Sequence, residues 1–297
     1  MNQGDSNNSP DWQQPAQPFD APIETPEPPR PPPAAVSIGE VIEAAKGIWK
    51  ENGKYLLQGY LPLLGLNAAF LLFWGIFQII EVAFGLPFVG ALIKLMTMVG
   101  TVGLLALFYG MFRPFKEVVQ KGPQAVAPGM GFLKLALERI VPLGIFCLAG
   151  LVAVSLGGCF LLIPAFIVLM LMYPIGYLIS VHGYDLGEAL SEGVEILKVN
   201  IAPLAAVVGL QVVLGVVIMG PIFGLGVFLM ITVSPVGGAV VQALLMVFFG
   251  PLLTLVMWFA LGSTLVTVIE KPRSAVVPPQ GPPVPQGPPP TPGQQQW

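Results

Sequence analysis

Charge is what this chain lacks most. Only 10% of its 297 residues are Asp, Glu, Lys or Arg, while 55% are hydrophobic; soluble domains usually carry roughly 25% charged residues. The shortage is concentrated: no acidic or basic residue occurs from Ile140 through Tyr184, and none from Val199 through Ile269. A soluble helix must show a polar face to water. Runs of this length exclude a soluble core and are measured instead in bilayer-crossing helices of about 20 residues. Histidine and cysteine are scarce too. His182 is the single imidazole, and Cys147 and Cys159 lie in apolar surroundings, so a zinc site cannot be assembled and His182 reads as a surface histidine. P-loop, dinucleotide and nucleophile-elbow patterns are missing. No catalytic, cofactor-binding or metal-ligating residue is assigned, and no nucleic-acid partner is expected.

Proline and glycine, by contrast, are plentiful, with 32 and 35 residues. Residues 1–36 form an acidic, Pro-rich stretch ending in Glu27-Pro28-Pro29-Arg30-Pro31-Pro32-Pro33, and 270–297 form a second Pro-rich segment among Gly and Gln. Neither can bury enough apolar surface to offset chain entropy, so both are expected to be disordered tails with polyproline II character. They serve as spacers or as ligands for a protein partner with an aromatic-lined groove. The N-terminal stretch has no basic segment followed by an apolar one, so the first span, starting near Tyr55, is expected to act as an uncleaved signal anchor.

Between the tails, residues 37–269 read as one membrane domain. Ser37-Ile38-Gly39-Glu40 has capping-box spacing, and Ile38, Val41, Ile42, Ala45 and Trp49 follow at helical intervals opposite Glu43, Lys46 and Lys50. That pattern predicts an amphipathic helix over 38–52 lying in the membrane interface. The first two spans follow over Tyr55–Ile80 and Pro87–Phe112. A basic connection over 113–139 is broken at Gly122-Pro123 and Pro128-Gly129. A hairpin then turns at Ser155-Leu156-Gly157-Gly158, placing the two cysteines on neighbouring helices at depths that cannot bridge. A polar helix covers 184–200, and a last pair of spans turns near Ser234-Pro235; Gly220-Pro221 offers an alternative break. Of the 13 basic residues, all but Lys94 fall in the tails, in or just after the amphipathic helix, or in the 113–139 and 184–200 connections. The positive-inside rule then favours six spans with both termini cytoplasmic. The fold class is an all-α integral membrane bundle with cytoplasmic interfacial helices, located in the cell inner membrane and in contact with membrane lipids.

Shifted by 148 positions, the sequence matches itself without a gap. Ser37-Ile38-Gly39-Glu40 falls on Asp185-Leu186-Gly187-Glu188, Lys50-Glu51-Asn52 on Lys198-Val199-Asn200, and Pro87, Gly90 and Ala91 on Pro235, Gly238 and Ala239. Both copies share one orientation, which makes this a parallel repeat. Each copy should bend into its span at Asn52 or Asn200, with the asparagine bonding free backbone groups there. The middle hairpin, led by Phe132-Leu133-Lys134-Leu135, resembles a third, diverged unit.

From Tyr173-Pro174-Ile175-Gly176 through Glu188-Ala189-Leu190-Ser191 and Ile196-Leu197-Lys198 to Asn200, the chain resembles the membrane domain of bacterial glycerophosphoryl diester phosphodiesterases and related six-helix bacterial membrane proteins of unknown function. The resemblance implies a bacterial inner-membrane helical protein. The phosphodiesterase activity resides in a separate barrel rich in acidic residues and histidines, which this chain has no room for.

Polar groups inside spans are the remaining candidates, because they are expensive there and tend to be functional. They are Lys94, Asn67, Gln211 and Gln242; Lys94 can also snorkel to the interface or pair with Glu81. Glu188, Glu192 and Glu195 have the ordinary spacing of a solvated helix face. The leading expectation is a non-enzymatic membrane scaffold or lipid-associated component, and the alternative is a transporter or channel component for a lipid or small solute.

Overall fold

The computed structural model describes residues 33–270, except Leu86 and Leu161. The expectations for 1–32 and 271–297 therefore lie outside the described residues. Among those described, the chain forms helices and no strand. They are α1 (Ile38–Phe84), α2 (Pro87–Gly110), α3 (Phe112–Lys121), α4 (Met130–Leu137), α5 (Ile140–Phe160), α6 (Leu162–Tyr177) ending in a π-helical turn (Leu178–His182), α7 (Leu186–Val199), α8 (Ile201–Thr232) and α9 (Pro235–Leu265) ending in a second π turn (Val266–Glu270). Five helical segments are long and apolar enough to cross a membrane, or six if the α4–α5 pair, bent by 69°, counts as one.

Proline decides where most of these helices begin. Pro114, Pro142, Pro164 and Pro203 are each the third residue of a helix, and α2 and α9 start on Pro87 and Pro235. A proline ring collides with the carbonyl four residues earlier. Those carbonyls belong to Gly110, Glu138, Phe160 and Val199, the last residues or C-cap of the preceding helices. Each proline thus forbids fusion with the helix before it, while its missing N–H costs nothing in a first turn. Pro62, Pro174, Pro221 and Pro251 lie inside helices that continue through them. At two of these the preceding residue is Gly220 or Gly250, with no Cβ to strike the ring.

The same rule corrects two expectations. The α5 helix runs through Gly157-Gly158 to Phe160, because the obstacle is Pro164 and not the glycines. Cys147 and Cys159 therefore share α5, twelve residues and about 18 Å apart, too far to bridge; Cys147 is a buried free thiol. The break at Asn52 is also absent. Hydrogen bonding in α1 passes unbroken through it, whereas Asn200 breaks the chain between α7 and α8. The position matching Pro203 is Tyr55, which places no ring in the path. Part of the basic connection is helical as α3, and the loop proper spans 122–129, where Gly122 and Gly129 take positive φ of 88° and 70°.

The long helices close a ring in which α1 packs on α2 and α9, α2 on α5, α5 on α6, α6 on α8 and α8 on α9. Reversals at Gly85 and at Val233-Ser234 lie at one end; α3, α4 and α7, with five basic residues, lie at the other. Side chains interlock most tightly near the basic end. There Tyr60 stacks on Trp258 at 4.6 Å, Phe115 meets the same indole edge-on, and Phe112, Phe132 and Tyr177 are fully buried. Elsewhere large apolar side chains such as Leu95, Val152, Val216, Ile231 and Phe248 face outward. An apolar exterior on this scale suits a multi-pass, membrane-embedded protein.

The first turns of α1 reach the same part of α9 as its later ones. Trp49 meets Phe259 at 5.1 Å, next to the Trp258 that Tyr60 stacks on. Eleven residues of straight helix would separate Trp49 from Tyr60 by about 16 Å. The amphipathic part of α1 lies beside the start of α8, where the Val36 amide donates to Asn200 Oδ1 at 2.9 Å.

Candidate functional site

All six ring helices contribute to one central cavity of about 410 Å³, within the size range of small-molecule sites. Its wall is mainly Leu, Phe, Val and Met, interrupted by Asn67, Thr101, Tyr109, Tyr173, Gln211 and Thr254, and it includes no charged residue. Gln211 is the eleventh of the 32 residues of α8, about 15 Å from the helix start, a third of the way along that helix from its basic end.

Of the intramembrane polar candidates, Asn67 and Gln211 come together on this wall; Lys94 and Gln242 do not. Lys94 is exposed on α2, and Glu81 rests against Gly90, one turn away from it. Gln242 packs on Gly226 in the α8–α9 hairpin. Tyr173 and Thr254 carried no functional reading in the sequence, because neither looks unusual within an apolar run.

The polar groups are oriented by one another. Asn67 Nδ2 donates to Thr254 Oγ1 at 3.0 Å, and that hydroxyl donates to the Gly250 carbonyl oxygen, which orients the Asn67 amide against α9. Tyr173 Oη donates to Gln211 Oε1 at 2.6 Å. Tyr173 is held in turn by Tyr109, whose ring lies over Gly176, where a side chain would collide with it. The Gln211 side chain is 8% exposed, and its Nε2 finds no protein acceptor. Other buried polar atoms share that lack, namely Tyr60 Oη, Asn200 Nδ2, Trp258 Nε1 and Ser263 Oγ, but none belongs to the cavity wall.

A second polar cluster sits where the two π turns meet. Glu270 ends one and His182 the other, with His182 Nε2 2.8 Å from Glu270 Oε1. Tyr177 Oη donates to the same carboxylate oxygen at 3.1 Å, while Lys116 Nζ and Gln120 Nε2 reach Oε2 at 3.2 and 3.3 Å. His182 is therefore a half-buried hydrogen-bond partner of Glu270 and not a surface histidine. Glu270 had been assigned to the C-terminal tail; it closes the last helix one residue past the expected boundary. A carboxylate so fully bonded ties α3, α6 and α9 together and offers nothing to a substrate. Among the described residues no group of His, Cys, Asp and Glu could hold a metal ion. Comparisons with protein families, characterised proteins and solved structures gave no match, so the cavity is read from its geometry alone.

Proposed function

We propose that this is a non-enzymatic, six-span protein of the inner membrane, with both termini cytoplasmic, that binds a lipid or small apolar solute between its helices. The observation behind this is the central cavity: without a charged residue in its wall, and lined by all six ring helices. A scaffold needs no such space, whereas a carrier or lipid-holding component does, so the transporter-like alternative gains over the scaffold. The six-span count treats α4–α5 as one bent crossing. Interfacial helices are supported by the Ser37–Glu40 and Asp185–Glu188 caps.

The parallel duplication also gains support from helix boundaries. Ile38 and Leu186 begin helices, Phe84 and Thr232 end them, and Pro87 and Pro235 begin the next; each pair is offset by 148. Leu63, the counterpart of Gln211, lies on the cavity wall as well. The two copies would thus face one space with one polar and one apolar residue.

Purification in a mild detergent followed by native mass spectrometry tests the binding role. The wild-type protein, incubated with an inner-membrane lipid extract, should retain a bound apolar species. Val154→Trp, which fills the cavity from α5, should release it. Equal retention by both proteins, or none by the wild type, would remove the cavity from consideration.

A further inference from the structure

We infer that a groove between the amphipathic start of α1 and the paired helices α8 and α9 holds an anionic phospholipid, with an acyl chain along its apolar wall and the phosphate on Lys46. This rests on the membrane orientation proposed above but not on the binding role of the central cavity, since the two spaces share no lining residue. The groove encloses about 660 Å³, within the range of small-molecule sites. Ile42, Ala45 and Trp49 supply one apolar side, and Val207, Leu210 and Phe259 face them from α8 and α9 without closing the gap. Ile42, Trp49 and Leu210 are exposed, so the space opens on the apolar exterior that a bilayer covers. Charge then selects the head of the occupant. Among the described residues of the wall Lys46 alone is charged; Trp49 and Thr264 add polar atoms but no charge. Glu43 and Glu51, the acidic residues that flank Lys46 on α1, are not part of the wall. Neither Lys46 nor Lys50, one turn on, pairs with a carboxylate among the described residues. Depth agrees with this. Pro203 and Leu210, the third and tenth residues of α8, both line the groove and lie about 10 Å apart along the axis, at the basic end of the ring. The negative surface of the cytoplasmic leaflet attracts basic residues beside the membrane. A neutral lipid would leave Lys46 without a counter-charge, and a soluble anion would leave the apolar wall uncovered. A phospholipid with a negative headgroup answers both.

Native mass spectrometry of the delipidated full chain in a neutral detergent gives apparent dissociation constants for phosphatidylglycerol, phosphatidylcholine and diacylglycerol, all with dioleoyl chains. The wild type should hold phosphatidylglycerol more tightly than the other two. Lys46→Gln should weaken phosphatidylglycerol about fivefold, the contribution of one lysine beside an anionic surface, and leave diacylglycerol unchanged, while Lys46→Arg should keep the preference. Lys134→Gln removes a lysine of α4 outside the groove and should behave as wild type. Ala206→Trp, which fills the groove from α8, should abolish the preference for phosphatidylglycerol, and Val154→Trp should preserve it. Equal affinity of the wild type for all three lipids, or equal losses in Lys134→Gln and Lys46→Gln, would overturn the inference. So would a preference that survives Ala206→Trp or disappears in Val154→Trp alone, the latter moving the lipid into the central cavity. A lipid-free dimer that Ala206→Trp splits would overturn it too, by giving the groove to a second copy of the chain. If Val154→Trp changes the binding of no lipid, the cavity's role fails while this inference stands.

Discussion

Glu270 shows how much a single residue can matter where local pattern says little. In the sequence it is merely the first charge after a long apolar run, at the threshold of a Pro-rich segment. Its partners lie in α3 and at the end of α6, contacts across 88 to 150 residues that no local periodicity reports. Glu270→Ala would leave Lys116 and His182 facing one another over a vacated carboxylate. Their side chains are only 17% and 18% exposed, so the loss should approach the cost of breaking a buried pair, about 3 kcal/mol. Glu270→Gln should cost less, since its amide oxygen can still accept from Tyr177 or Lys116. Thermal unfolding in detergent reads both; an unchanged midpoint for Glu270→Ala would show that the cluster does not hold the helix ends. Gly238 makes a similar point about space. A Cβ there would run into the Met230 nitrogen and the Gly226 carbonyl oxygen, both backbone atoms that cannot swing away, whereas Gly215 has open space around it. Gly238→Ala should destabilise by about 1–3 kcal/mol through overpacking, and Gly215→Ala should be neutral or slightly stabilising. A reversed order in the same unfolding assay would contradict this account of the α8–α9 hairpin.

At the scale of elements, helix content and approximate positions were legible because apolar run length and capping residues are local signals. Ser37, Asp185 and Ser234 all cap as their positions suggest. Boundaries were less legible, since the same residue type starts a helix at Pro203 and lies within one at Pro221. Glycine pairs misled at 157–158, where two missing side chains do not stop a helix but a proline six residues later does. The contrast between Asn52 and Asn200 can be tested directly. Tyr55→Pro would place a ring against the Glu51 carbonyl, as Pro203 does at Val199, at a cost of about 3 kcal/mol in an unbroken helix. Tyr55→Phe serves as the control, because the Tyr55 hydroxyl also donates to the Val126 carbonyl oxygen. Trypsin should cut after Lys46 or Lys50 faster in Tyr55→Pro than in wild type or Tyr55→Phe. Equal rates would mean that packing against α8, and not the backbone ladder, keeps α1 whole.

For the whole molecule, the sequence supplied two members of the cavity wall, Asn67 and Gln211, but not the cavity, which exists only because six helices close a ring. Tyr173 and Thr254 join the site through that closure, from segments that resemble any other apolar run. The ring also ties the site to an orientation, and orientation follows from charge. Arg113, Lys116, Lys121, Lys134 and Arg139 gather at the end opposite the reversals at Gly85 and Val233-Ser234, and basic loops are retained on the cytoplasmic side. Phe84, Val233 and Met130 are 70%, 74% and 71% exposed, which makes them suitable reporters of the two ends. In a background with Cys147 and Cys159 replaced by alanine, single cysteines at Phe84 and Val233 should react with a membrane-impermeant maleimide added to intact cells. A cysteine at Met130 should react only after the membrane is opened. Labelling of Met130→Cys in intact cells, with Phe84→Cys protected, would invert the orientation. Labelling of Phe84→Cys but not Val233→Cys would mean that α8 and α9 do not return to the same side as α1 and α2. The ring of six crossings would then fail, and the cavity, which needs all six walls, would fail with it.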